Sequence, residues 1–159
     1  MRHFISTPVG TLEILIDNEM VAGIIFKQKK SCSKIKTRHP LLKRCQKQLV
    51  EYFSGKRTHF DLPIELEGTP FQKKVWLELI KIPFGTTISY SELARRIGNP
   101  KACRAVGQAN NKNPIPLIIP CHRVIGKNGD LVGFAGRLDV KKWLLDHERH
   151  SSNKNKFFS

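Results

Sequence analysis

The residues with the clearest capacity for chemistry are Cys121 and the two that follow it, His122 and Arg123. An unperturbed thiol has a pKa of about 8.5, so only a few per cent of it is thiolate at neutral pH. An adjacent imidazole fixed by a carboxylate, together with a nearby cation, increases that fraction. Glu148 is the candidate carboxylate, because an anion near a helix C-terminus is unfavourably placed without a partner, although a solvated helix end would explain it equally well. The group predicts a nucleophilic cysteine. A metal site on the same residues is disfavoured, because no second pair of ligands follows at a suitable spacing.

The segment before Cys121 must position the thiol, and its prolines restrict its conformation. Pro114, Pro116 and Pro120 are three prolines in seven residues, which excludes a helix and a central strand. We therefore expect an extended, buried connector that ends at the cysteine.

Two short predicted helices precede this connector. The first runs from Ser91 to Ile97 after a capping sequence, and the second runs from Lys101 to about Asn110. Two short helices joined by a turn that contains Gly98 predict a helix-turn-helix. The second helix carries small residues and one long cation, a pattern that fits DNA readout and a packed alanine-rich core equally well.

Two more elements follow the cysteine. Residues 124–134 surround the turn sequence Asn128-Gly129, which predicts a hairpin, a wing behind the helix-turn-helix. Asp139 is the predicted N-cap of a last helix. The apolar face of that helix is predicted to consist of Val140, Trp143, Leu144 and His147.

The first third of the chain predicts strands followed by one helix. Alternating apolar residues at 12–16, a turn at Asp17-Asn18 and the segment 20–26 predict an antiparallel hairpin. Apolar residues at helical spacing between Leu41 and Phe53 predict a helix with Cys45 in the core.

Composition limits the function classes. The chain has 159 residues, of which 28 are Lys or Arg and 13 are Asp or Glu, and its formal net charge is +15. Its 40% hydrophobic content is typical of a soluble globular protein. The positive charge predicts a polyanionic partner, nucleic acid first and an acidic membrane surface second. The apolar stretches are too short for a membrane span, and no signal-peptide core begins the chain, so we expect a cytoplasmic protein, or a nuclear one in a eukaryote.

The run Pro120-Cys121-His122-Arg123-Val124 resembles the signature of the O6-alkylguanine-DNA alkyltransferases. The resemblance covers residues 66–150 and includes, in family order, Gly68 to Gln72, Val75-Trp76, Ile82 to Gly85, Arg104 to Gly107, Asn110 to Pro114 and Lys142 to Glu148.

The resemblance implies an α/β (α+β) protein with two lobes. Residues 1–66 would form a small N-terminal α/β lobe with an antiparallel, ribonuclease-H-like sheet. Residues 67–150 would form the winged helix-turn-helix lobe with the reactive site, and residues 151–159 a polar, disordered tail.

The implied reaction is DNA repair by direct reversal. The alkyl group of O6-alkylguanine, and as a further candidate that of O4-alkylthymine, is transferred irreversibly to Cys121 in a single turnover. The partner is double-stranded DNA, bound in the minor groove by a monomer with little sequence preference. An alkylated base inside a duplex must be flipped out to be reached.

The resemblance also assigns roles to individual residues. His122 would deprotonate Cys121 through a water, Glu148 would hold the imidazole, and Asn113 would brace the active-site turn. Tyr90 would help rotate the nucleotide and protonate the departing base, and Arg104 would fill the space that the base leaves. The helix that contacts DNA would present Ala102, Cys103, Ala105 and Gly107, and the base pocket would comprise Pro120, Val124, Phe134, Ala135 and Gly136.

The sequence departs from the family pattern at three places. Phe134 replaces a tyrosine of many relatives and Ala135 replaces a serine of some, which changes the polarity expected of the base pocket. The zinc of some relatives is bound by cysteines near the N-terminus, and the first 31 residues here contain none. We expect no metal and no cofactor.

Three other functions compete with repair. A non-enzymatic relative would bind alkylated bases without transfer, but such relatives lack the cysteine. A winged helix-turn-helix regulator would use the basic charge and leave the Pro-Cys-His-Arg run without a purpose. A cysteine–histidine hydrolase would turn over repeatedly.

Overall fold

The computed structural model describes residues 1–28, 37–134 and 137–158. Cys32 and the predicted pocket residues Ala135 and Gly136 lie outside these ranges. The chain divides into two compact units, Met1–Leu66 and Glu67–Ser159.

The first unit is a three-stranded antiparallel sheet with one helix. The strands β1 (Arg2–Thr7), β2 (Gly10–Asp17) and β3 (Met20–Lys27) are hydrogen bonded in the order β1-β2-β3, and α1 spans Pro40–Phe53. The predicted hairpin and helix are therefore confirmed. Cys45 is buried with the apolar residues of α1, as predicted, and burial raises the pKa of its thiol to about 11. The buried side chains of the sheet and helix include Leu12, Ile14, Ile16, Leu41, Leu42 and Leu49.

The second unit is mainly helical. It contains α2 (Pro70–Leu79), β4 (Ile88–Ser89), α3 (Tyr90–Arg96), α4 (Cys103–Asn111), a 3₁₀ turn (Cys121–Arg123), β5 (Val124–Ile125) and α5 (Leu138–Phe158). A capping box fixes the start of α2, since the Thr69 side chain accepts from the backbone of Gln72 and the Gln72 side chain accepts from the backbone of Thr69. The Trp76 indole donates to the carbonyl of Ala109 at 2.9 Å and so joins α2 to α4.

Two predicted helices begin at other residues than expected. The helix α3 begins at Tyr90, one residue early, because the Ser89 side chain caps it by accepting from the Glu92 backbone at 3.1 Å. The helix α4 begins at Cys103 rather than Lys101, and its N-cap, Ala102, makes no side-chain capping bond.

The last helix differs from the prediction at both ends. It begins at Leu138, so Asp139 lies in the first turn rather than at the N-cap. It also continues to Phe158, where the sequence predicts a disordered tail from residue 151. Ser151 is buried, and Ser152 lies against the turn at Gly85, so packing extends the helix beyond the predicted end.

The predicted turn at Asn128-Gly129 forms, and the backbone of Gly126 donates to the carbonyl of Asp130 across it at 2.7 Å. Within the described residues, however, no antiparallel strand pair flanks this turn, so the predicted hairpin is confirmed only at its turn. The strand β5 pairs in parallel with β4, with Val124 opposite Ile88. The Lys141 ammonium donates to the carbonyls of Val124 and Val132 and so joins the two ends of this segment to α5. No helix in the described ranges is both long and apolar enough to cross a bilayer.

Candidate active site and nucleic-acid interface

The connector before Cys121 is largely buried, as predicted, but it is not extended, because the backbone of Ile119 donates to the carbonyl of Ile115 at 2.9 Å and closes a turn. One side chain holds this turn. The Asn113 amide nitrogen donates to the carbonyl of Ile119 at 2.8 Å, and its amide oxygen accepts from the backbone of Ile115 at 3.0 Å. Leu117 between them adopts a positive φ of 75°, a conformation that a side chain disfavours and that the surrounding bonds must hold. The connector delivers Cys121 to the first position of the 3₁₀ turn, where its reduced thiol is fully buried.

A single carboxylate, that of Glu148 on α5, connects the residues next to this cysteine. One oxygen lies 2.5 Å from Nε2 of His122, and the other accepts from Nε of Arg123 at 2.6 Å. The backbone of Gly85 donates to the second oxygen at 3.4 Å, and Arg123 in turn donates to the carbonyl of Ile82 at 2.7 Å. The 3₁₀ turn, the loop after α2 and the helix α5 thus meet at one carboxylate.

The environment sets the protonation of this pair. Burial would raise the pKa of Glu148, but the hydrogen bonds and charges of His122 and Arg123 outweigh burial and lower that pKa to about 2. Burial lowers the pKa of His122, and the cations Arg123 and Lys141 lower it further, while Glu148 opposes them. At neutral pH the site therefore contains a carboxylate and a neutral imidazole. Since Nε2 faces the carboxylate, it carries the proton, and Nδ1 keeps the lone pair of a base.

The lone pair at Nδ1 of His122 is available. This atom is buried and has no hydrogen-bond partner within the described part of the chain. A buried polar atom without a partner is costly, and such atoms occur where function requires them. The arrangement can accept a proton from a thiol, directly or through one water.

Lys141 is a site residue that sequence reasoning missed. Its side chain is fully buried, and its ammonium donates to the carbonyls of Val124 at 2.7 Å and Val132 at 2.8 Å. Burial lowers the pKa of Lys141 to about 8, while its charge interaction with Cys121 opposes that shift. The position was readable from the spacing, because residue 141 precedes Glu148 by seven residues and so shares its helix face. Of the predicted apolar face of α5, Val140 and Leu144 are buried, whereas Trp143 and His147 are half-buried. The buried face also includes Lys141, Glu148 and Ser151.

Asn110 is a second residue that the sequence did not single out by itself. Its amide nitrogen donates to the carbonyl of Cys121 at 3.3 Å and to that of Gly133 at 3.5 Å. Its amide oxygen is buried without a hydrogen-bond partner in the described ranges. Asn110 therefore joins α4 to the backbone of the cysteine.

Tyr90 lies between this centre and the surface. Its hydroxyl donates to the carbonyl of Val132 at 2.6 Å and lies 3.2 Å from that of Gly133. Burial raises the pKa of Tyr90 to about 12, and the charge of Cys121 raises it in the same direction. With a pKa this high, Tyr90 stays protonated at neutral pH and can donate. The ammonium of Lys141 lies 6.0 Å from the centre of its ring.

An open cleft of about 550 Å³ lies beside Tyr90 and α4. Arg104, Ala105 and Gln108 on α4 are exposed, whereas Val106 and Ala109 are buried. The helix therefore packs on one side and presents Arg104 on the other. Arg104 has no ion-pair partner among the described residues. Ala102, Cys103 and Gly107 are half-buried on the same helix. The cleft is lined by Tyr90, Cys103, Arg104, Gly107, Asn111 and Gly133, among others.

Three of the five predicted pocket residues are described. Pro120 and Val124 are buried beside Cys121, and Phe134 is half-buried. Within the described ranges, no three His, Cys, Asp or Glu side chains form a group that could hold a metal ion.

Comparison with known proteins gives matches over both units. Residues 70–150 match the model of the DNA binding domain of 6-O-methylguanine DNA methyltransferase, and residues 1–66 match that of its ribonuclease-like domain. The chain is 43% identical over 153 residues to the constitutive methylated-DNA–protein-cysteine methyltransferase of Bacillus subtilis, with 91% of this chain and 93% of the relative covered. It is 44% identical over 153 residues to the methylated-DNA–protein-cysteine methyltransferase of Methanosarcina mazei, with 94% and 97% covered.

A solved structure agrees with these matches. The fold is similar to that of Mycobacterium tuberculosis OGT in complex with DNA, with a TM-score of 0.84 and 39% sequence identity over 93% of this chain and 92% of that one.

Proposed function

Because the chain belongs to the 6-O-methylguanine DNA methyltransferase family, we propose that it repairs alkylated DNA by moving the alkyl group from O6 of guanine to Cys121. The sulfur of the thiolate forms a bond to the alkyl carbon while the bond from that carbon to O6 breaks. The guanine takes up one proton, and the protein keeps a thioether. A thioether does not readily revert, so each molecule acts once.

One observation carries this proposal, the pairing of Glu148 with His122 directly beside the buried thiol of Cys121. The carboxylate orients a neutral imidazole whose Nδ1 can accept the proton of the thiol. The ammonium of Lys141 interacts with the charge of Cys121 and favours the thiolate. These groups make a nucleophile from a cysteine that burial alone would leave neutral.

The surface beside the thiol supports a duplex substrate. A target base must leave the stack, which costs a few kcal/mol. Arg104 is exposed on α4 without an ion-pair partner in the described ranges, so its side chain is available to fill the vacated position. The small residues of α4 permit a close approach to a groove, and we infer that this is the minor groove, read with little sequence preference.

Tyr90 is the proposed proton donor to the departing base. Its pKa of about 12 keeps it protonated, and its hydroxyl lies at the edge of the cleft beside Val132. Asn113 and Asn110 position the backbone on either side of Cys121. We propose that the protein acts as a monomer in the cytoplasm, or in the nucleus of a eukaryote.

Mass spectrometry of the intact protein tests the proposal. The protein is incubated with a duplex that contains one O6-methylguanine, and Cys121→Ser serves as the matched control. We expect one added methyl group per chain on wild type, saturating at equimolar duplex, and none on the variant. Tight binding without added mass would indicate a binding protein, and repeated turnover would indicate a hydrolase. A parallel duplex with O4-methylthymine tests the second candidate substrate.

A further inference from the structure

The first unit carries cations that the reactive site does not use. Lys43, Gln46 and Lys47 lie together on the exposed side of α1, and Arg38 is exposed just before that helix. We call these four residues the basic face. We propose that the basic face binds the phosphate backbone of duplex DNA, as a contact additional to that of α4. This proposal depends on the proposed function only because it takes duplex DNA as the substrate.

Neighbouring carboxylates leave the basic face largely unneutralised. Within the described ranges, Arg38 and Lys43 form no ion pair. Lys47 lies 4.0 Å from Glu51, whose other oxygen accepts from Arg57 at 2.7 Å. The next cation, Arg44, is already bound by Asp61, through the carbonyl at 2.7 Å and the carboxylate at 3.4 Å, so it is not included in the face.

The positions of these cations oppose the stability of the helix. The first turn of α1 contains no acidic residue, and Arg38 and Lys43 lie near its N-terminus, where the helix dipole disfavours positive charge. Lys43 and Lys47 are four residues apart, a spacing at which like charges repel. Folding of the first unit therefore does not account for the arrangement, whereas a bound polyanion would relieve both costs.

The charge pattern favours nucleic acid over an acidic protein. The run from Lys27 to Val50 contains nine basic and no acidic residues. A stable protein interface needs roughly 1,000 Å² or more with an apolar centre. Val50 is the one large hydrophobic side chain that α1 exposes. A small groove lined by Ile5, Pro8 and Phe53 adjoins it, so an acidic protein segment with an apolar anchor is the competing occupant.

The salt dependence of binding to an undamaged duplex tests the proposal. The logarithm of the binding constant falls with the logarithm of salt concentration by about 0.9 for each phosphate contact. The variants Lys43→Gln and Lys47→Gln each remove one charge from the basic face. Lys56→Gln removes one exposed charge from the same unit beyond the end of α1 and is the control. Methyl transfer from free O6-methylguanine to each variant is measured in parallel.

We expect each basic-face variant to reduce the slope by about 0.9, the double variant by about twice that, and the control to leave it unchanged. Across a fourfold rise in salt concentration, the difference in affinity between wild type and the double variant should shrink roughly tenfold. Equal slopes for wild type and all variants would overturn the proposal and favour an acidic protein segment as the occupant of the basic face. An equal reduction of the slope in Lys56→Gln would also overturn it, because the effect would then come from net charge rather than from the basic face. If the proposed function is correct, methyl transfer from the free base to the protein is unchanged in every variant. If wild type shows no such transfer, the proposed function is contradicted, whereas the salt slopes still test the basic face.

Discussion

The carboxylate of Glu148 connects the side chains of the proposed reactive centre. It binds His122 and Arg123 at the same time, and a buried carboxylate needs such partners because desolvation would otherwise neutralise it. The guanidinium of Arg123 supplies a permanent positive charge, and the imidazole of His122 supplies a hydrogen-bond donor to the carboxylate. Arg123 is buried, and its charge helps to keep the Glu148 carboxylate ionised while His122 remains neutral.

Replacing Lys141 by methionine tests its effect on the thiol. The substitution removes a buried positive charge that interacts with Cys121, so the pKa of the thiol should rise. Alkylation by a small electrophile at pH 7 should slow roughly tenfold, and the pH–rate profile should move to higher pH. Lys142→Met changes the exposed neighbour and is the control. A slower rate with an unmoved profile would indicate a purely structural role.

Replacing Arg104 by alanine separates base flipping from chemistry. The free base leaves no vacancy in a stack, so methyl transfer from it should proceed at the wild-type rate. Transfer from a duplex should slow roughly tenfold, because the extruded base loses the side chain that offsets unstacking. Single-turnover rates on both substrates give the comparison. Equal slowing on the two would contradict the proposed role of Arg104.

At the scale of elements, the end of α5 supports the site from behind. Gly85, whose backbone donates to Glu148, lies against Ser152 on the last turns of the helix. This contact explains why a polar segment stays helical, and it places residues beyond 150 in the support of the reactive carboxylate. The helix α5 thus contributes Lys141, Glu148 and Ser152 from one face.

Replacing Gly85 by alanine tests this contact. The position has a φ of +78°, and a Cβ there would lie 2.2 Å from Oγ of Ser152. Gly98→Ala is the matched control, because Gly98 has a φ of +80° with nothing within 4 Å of the added atom. The control should lose about 1–2 kcal/mol of unfolding free energy through backbone strain, and Gly85→Ala should lose more. Adding Ser152→Ala should recover part of the difference, and urea unfolding measures each value. Equal losses in the two single variants would mean that the turn is not packed against α5.

For the whole molecule, charge governs stability as well as binding. The net charge of +15 promotes association with a polyanion, but it also destabilises the compact state through self-repulsion. The buried carboxylate and imidazole link that stability to pH.

We expect the protein to lose stability as the pH falls. The pKa of His122 is lowered on folding, so its contribution is present at neutral pH and declines below its unfolded value of 6.5. The pKa of Glu148 falls from 4.5 to about 2, so its contribution of about 3 kcal/mol is complete above pH 4.5 and lost as the pH approaches 2. Urea unfolding between pH 7 and pH 3 measures the decline.

Glu148→Gln isolates the carboxylate in this experiment. The variant should be less stable at pH 7, because Arg123 loses its counter-charge, and it should lack the part of the decline that lies below pH 4.5. A variant with the full wild-type pH dependence would show that another group is responsible.

The sequence by itself determined which residues form the proposed reactive group. Cys121, His122 and Arg123 are adjacent in the sequence, so their combination of side chains can be read directly from it. The capping box at Thr69 and the turn at Asp17-Asn18 also depend only on neighbouring residues. For this reason α1 and the first hairpin were predicted from residue type and spacing alone. The family resemblance rested on the same short runs.

Only the tertiary structure decided which distant groups meet. The pairing of Glu148 with His122 joins residues 26 positions apart. The buried ammonium of Lys141 donates to two carbonyls of the segment that the sequence predicted to be a hairpin. The Gly85–Ser152 contact likewise extends α5 past its predicted end. Local propensity carries no information about such partners, because the free energy of a buried charge or a helix end depends on what packs against it.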